Sequence, residues 1–166
     1  MKGVVVQMYR TVNDFIQDWQ HSSNGTLSII KAITDEKKDF SIVDGHNSLE
    51  WLSWHLTNSP AFFMGQIGLS LGLELNQSNV PSTINEISKQ YQTVSENIVK
   101  IIKENLSNDS LLKTVNMGEQ AIPIGAVLRM MVDHQTHHRA QMQVLLRQAG
   151  LPVPGVMGPT KEQLAK

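Results

Sequence analysis

Phe15, Trp19, Ser22, Thr26, Ile30 and Ile33 recur at three- and four-residue steps, a stripe that predicts a helix over residues 11–34. Asn24-Gly25 interrupts it, and a glycine inside a helix costs about 1 kcal/mol against alanine, so a break there is the competing reading. The charged run at residues 35–39 reads as a solvated connector. Asp44-Gly45-His46-Asn47 has turn composition, and Asn47 or Ser48 can cap a second helix through L-E-W-L-S-W-H-L-T-N-S. Pro60 lies inside that helix. Lacking an N–H, it leaves the Leu56 carbonyl without its usual donor, so a kink one turn beyond His55 is expected. Gly65, Gly68 and Gly72 then loosen the segment, and residues 71–80 read as loop.

Thr83-Ile84-Asn85-Glu86 is a capping box. Behind it Ile84, Ile87, Tyr91, Val94, Ile98 and Ile101 make the clearest amphipathic helix of the chain, without a histidine. Residues 111–121 read as irregular or a short extended excursion, and Ile122-Pro123 as the start of a last long helix. That helix runs to Ala149, where Gly150 and Pro152 stop it. An extended tail at residues 151–159 and a terminal helical turn at 160–166 follow. Four long amphipathic segments and no convincing strand predict an all-α four-helix bundle, one domain over residues 1–166. The long second and third connections leave up-down-down-up and simple up-and-down order both open.

Composition narrows the function. The 166 residues are 40% hydrophobic and 17% charged, ordinary for a globular protein. A formal charge of −1 gives no electrostatic footprint for nucleic acid. With no cysteine, disulfides, thiolate zinc sites and a cysteine nucleophile are excluded, and metal binding falls to His, Asp and Glu. The apolar residues 3–6 are too short for a signal segment and no run is long enough to span a membrane, so the cytoplasm is the expected compartment.

Three of the six histidines sit in D-H-Q-T-H-H-R-A-Q, residues 133–141. His134 and His138 are four apart and project from one helical face, where two imidazoles can turn a nitrogen toward a common point. Val127, Met130, Met131, Gln141 and Leu145 fall within about 60° of His134 at 100° per residue, so the pair is expected on an inward stripe. An unpartnered ring nitrogen is expensive there. The alternative is core histidines satisfied by carbonyls or water. His55 lies on the apolar side of the second helix, and three histidines plus water would be an open, catalytic type of metal site. Trp51 and Trp54 flank His55 and either shield a metal or serve as core aromatics. His137 is 60° off the stripe, a substitute or supporting residue, and Asp133 points about 100° away, so no general base stands beside the ligands. His21 and His46 read as ordinary polar-face or turn residues.

The H-Q-T-H-H-R-A-Q segment, the W-H-L of the second helix and the following R-Q-A-G-L-P-V-P resemble the DinB/YfiT superfamily of small bundle metalloproteins. The resemblance covers essentially the whole chain in element order and is most specific in the final helix. It implies a divalent metal held by His55, His134 and His138. The family pattern H-H-R-G-Q has Ala140 in place of glycine here, one added methyl on the helix. Relatives include transferases that join low-molecular-weight thiols such as bacillithiol to electrophiles, a mycothiol-dependent isomerase, and proteins taken for hydrolases. The resemblance therefore implies a metal-dependent enzyme with a small-molecule substrate, a thiol S-transferase ahead of a hydrolase. The other class of reading is a stress-associated metal- or ligand-binding protein without turnover. Zinc suits three imidazoles best, with nickel or another transition metal as alternatives. Gln141 is the candidate to orient a bound water or ligand. Arg139 either reaches an anionic substrate or, the preferred reading, pairs with a carboxylate on a neighbouring helix. A homodimer is expected from the family habit of pairing through bundle helices, with Trp54 at the edge of the stripe as the covering residue.

Overall fold

Three helices begin on the caps that the sequence supplies. The computed structural model describes residues 8–165, so the apolar stretch at 3–6 lies outside it. Helix α1 (Val12–Lys31) opens on Thr11, whose hydroxyl accepts from the Asp14 amide. Helix α2 (Leu49–Gln66) opens on Ser48, and α3 (Ile84–Asn105) on the reciprocal Thr83–Glu86 box. Helix α1 continues through Asn24-Gly25 without a break. The glycine serves close approach instead: a Cβ there would lie 2.3 Å from Val156 Cγ1, so its absence lets the C-terminal segment lie on the helix.

The last long helix starts later than the Ile122-Pro123 reading expects. Those two residues belong to strand β2 (Gln120–Pro123), which pairs antiparallel with β1 (Thr114–Met117), and α4 runs Ile124–Gln148 with Pro123 as its cap. The two-residue turn between the strands places Gly118 at φ +63°, the conformation that tight hairpins require at the first turn position. A short helix α5 (Lys161–Leu164) ends the described chain.

Side-chain pairs settle the helix directions. Asp18 meets Arg129 and, further along both helices, Ser22 meets Arg139, so α1 and α4 run parallel. Trp19 reaches Ser95, and Asp35 just beyond α1 caps the first residue of α3, so α1 and α3 are antiparallel. In α2 the cleft residue Leu52 faces Leu145 while Phe63 faces His134, the antiparallel sense against α4. The bundle is up-down-down-up, with α1 and α2 each packed between α3 and α4. No described helix is long and apolar enough to cross a membrane.

Two apolar clusters fill the bundle, one around Phe15, Trp19, Ile98 and Leu128, the other around Ile30, Leu49, Tyr91 and Leu146. Along α1, α2 and α4 the sequence between them holds Ser22, Thr26, Thr57, Gln135 and Arg139, all buried. This polar belt at mid-bundle is the level at which the histidines sit.

Candidate metal centre

Pro60 organises the site from a distance. It has no N–H to donate to the Leu56 carbonyl, yet α2 runs unbroken through it. The carbonyl finds another donor: the Gln135 side-chain nitrogen, 3.0 Å away from across the bundle. The other end of that amide accepts from the Tyr91 hydroxyl at 2.8 Å. One fully buried glutamine thus ties α2, α3 and α4 together, and its contacts flank His55 on one helix and His134 on the other. Burial raises the Tyr91 hydroxyl pKa, which keeps this donor protonated.

Beside that tie, His55, His134 and His138 each bring one ring nitrogen within 4.8 Å of the others. His55 Nε2 and His134 Nε2 stand 3.2 Å apart. Two nitrogens bound tetrahedrally to one zinc at about 2.0–2.1 Å would be separated by roughly 3.3 Å, so this edge already has coordination dimensions. The Nδ1 of His138 donates to Gln141 Oε1 at 2.8 Å, which leaves its Nε2 with a free lone pair. His134 Nδ1 is buried with no hydrogen-bond partner among the described residues. The protein therefore offers the His134 ring little besides another imidazole. A cation at the meeting point would satisfy the facing lone pairs, and the donor set fits a divalent transition metal.

The electrostatics agree. Burial, then the neighbouring His138, His55 and His137, lower the His134 pKa to about 4. His55 is lowered for the same leading reason, burial, with His138 contributing. Both rings are neutral near pH 7, the form that ligates. Trp51 stacks on His55 with ring centroids 4.8 Å apart, and Phe63 meets the edge of His134.

All three histidines are half-buried rather than central. The buried line of α4 runs Leu128, Val132, Gln135, Arg139, Met142 and Leu146, and the histidine pair lies on its flank toward α2. Met130 and Gln141, expected on the inward stripe, are exposed. Gln135 and Arg139 are polar, so the periodicity of apolar residues points to the wrong centre line.

Other expectations resolve individually. Gln141 is the partner of His138 and also reaches His137, which is exposed, at 3.4 Å. Asp133 pairs with Arg129 and faces away from the histidines. Trp54 is 3% exposed and donates to the Asn76 carbonyl, so it shields no metal and has no surface to give a second subunit. Arg139 pairs with no carboxylate among the described residues. It is buried against α1, donating to the Ser22 carbonyl at 2.7 Å and the Ser22 hydroxyl at 3.2 Å. His21 is exposed, as expected of an ordinary residue. His46 is not merely a turn residue. With Ile42, Leu52, Gln141, Val144 and Leu145 it lines a largely apolar cleft of about 310 Å³ between α2 and α4. Gln141 walls that cleft and holds His138, so the cleft opens one side chain away from the histidines. Its signal in the sequence was slight: a lone histidine in a turn preceding the helix that carries His55.

Comparison with known proteins gives a consistent outcome. The model of the DinB family matches residues 8–166. A Bacillus subtilis (strain 168) relative named "Uncharacterized protein YrdA" is 31% identical, over 96% of this chain and 95% of its own. The crystal structure of a DinB-like protein from Bacillus cereus ATCC 10987 superposes with a TM-score of 0.84 at 30% identity, covering 89% of this chain and 99% of that one. A second, the DinB-like protein YjoA of Bacillus subtilis, superposes at 0.70 with 21% identity over 89% and 100% of the two chains, a likeness of fold.

Proposed function

From its membership of the DinB family, we propose that this chain is a divalent-metal-dependent enzyme that joins a low-molecular-weight thiol to a small apolar electrophile. The observation that carries the reading is the meeting of His55, His134 and His138 with no fourth protein ligand among the described residues, beside a substrate-sized cleft. A divalent ion bound there supplies Lewis acidity, lowering the pKa of a coordinated thiol or water. The chain's own residues do the rest. Gln141 fixes the ring of His138 with its free nitrogen inward. Trp51 covers one face of His55 and limits the approach of water from that side. Ile42, Leu52, Val144 and Leu145 give the cleft walls that suit an uncharged, apolar reactant. The absence of cysteine accords with a thiol brought in from solution.

Hydrolysis is the second reading, and one observation favours it: His46 lines the same cleft and offers an imidazole able to serve as a base. The experiment is an assay of metal-loaded protein with an aryl halide or an ester, with and without bacillithiol or a simple thiol, beside a His138→Ala control. Thiol-dependent turnover lost in the control supports the proposal. Thiol-independent ester cleavage lost in the control moves the reading to a hydrolase, and no turnover in either assay moves it to a metal- or ligand-binding protein.

A further inference from the structure

Arg139 presents a charge that the fold does not balance. It is 4% exposed and forms no ion pair among the described residues. Its Nη1 is spent on the Ser22 carbonyl and hydroxyl, but Nη2 reaches only the Thr136 hydroxyl at 3.4 Å. Its Nε has no partner among the described residues. A buried cation without a counter-charge is expensive, and a guanidinium with donors to spare is built to take two oxygens at once.

Arg139 lines an open groove of about 510 Å³ between α4 and the C-terminal segment. Arg147 and Lys161 line it as well, together with Gly158 and Thr160. Glu162 pairs with Arg147 at 2.7 Å. Three cations less this one carboxylate leave two positive charges around the groove. The volume exceeds what a bare oxyanion needs, and Val156, Met157 and Pro159 supply an apolar wall. From the buried unbalanced guanidinium, the charge count and the shape, we propose that this groove binds a phosphate monoester, the dianionic phosphate facing Arg139, Arg147 and Lys161 and its organic part lying against the tail.

The site is separate from the metal centre. His134 and His138 leave α4 toward α2, whereas Arg139 leaves it toward α1. An occupant would bridge α4 and the tail that rests on Gly25. The test is thermal denaturation of the full chain titrated with inorganic phosphate and with glycerol phosphate, against acetate and chloride at matched ionic strength. A saturable rise in Tm with both phosphates, absent with acetate and chloride, is expected. The rise should persist in His134→Ala, and Lys161→Glu, a change at an exposed position, should weaken the apparent affinity at least tenfold. No saturable rise, an equal rise with acetate, or wild-type affinity in Lys161→Glu would overturn the proposal. Loss of the effect in His134→Ala would place the anion on the metal centre and overturn it equally.

Discussion

His134 has the most perturbed environment of the three histidines, and its behaviour with pH follows from that. In the unfolded chain its pKa is the ordinary 6.5; in the folded chain burial holds it at about 4. The unfolded state therefore takes up the proton first as pH falls. The stability that neutral His134 contributes is complete above pH 6.5, is lost between there and about pH 4, and falls no further below. Urea midpoints of the metal-free protein across this range should decline, and less steeply in His134→Gln; parallel curves for the two proteins would show that the ring is not buried neutral. Gln141 acts on the neighbouring ring through the 2.8 Å bond to His138. Gln141→Ala should weaken metal affinity about 10- to 100-fold, as loss of a group that orients a ligand does, while His21→Ala leaves it unchanged by calorimetric titration. The sequence made the three histidines legible through the four-residue spacing and the W-H-L segment. It singled out Arg139 but misread its neighbours, because a buried guanidinium held by a helix carbonyl and hydroxyls leaves no opposite charge to find in the pattern of charges.

Among the elements, α2 and α4 depend on each other through a single amide. Pro60 frees the Leu56 carbonyl, a consequence readable from the sequence, but the donor that answers it is a glutamine in the buried centre of α4. Apolar periodicity is blind to such a residue, and for the same reason it misplaced the centre line of α4. Gln135→Leu strands both the Leu56 carbonyl and the Tyr91 hydroxyl. It should cost roughly 2–4 kcal/mol in chemical denaturation and loosen metal binding as well. Gly25 illustrates the converse: its helix-breaking signal was legible, but its purpose depends on a tail 131 residues later in the chain. In Gly25→Ala the gain in helix propensity, about 1 kcal/mol, opposes the lost seat of Val156. Amides of the tail should then exchange faster in hydrogen exchange while the global midpoint changes little; unchanged tail exchange would show that the contact does not hold the segment. The β1–β2 hairpin was legible only as an irregular or short extended excursion, because its strands are four residues each and its one strong signal is the glycine of the turn.

At the scale of the whole molecule, the bundle was legible from four amphipathic stripes, but its up-down-down-up order was not, because direction is carried by pairs such as Asp18 with Arg129 and Asp35 with the first turn of α3. That order sets α2 antiparallel to α4 at the level of the polar belt, bringing one histidine against two and opening the cleft beside them. The central claim is that these three side chains hold one metal ion. X-ray absorption at the zinc edge of untagged protein, loaded with one equivalent of zinc, tests it most directly. Three imidazole nitrogens at about 2.0–2.1 Å with the remaining position filled by a light atom is the predicted shell, collapsing in His55→Ala. A shell with fewer than three imidazoles, or one unchanged in His55→Ala, would contradict the account.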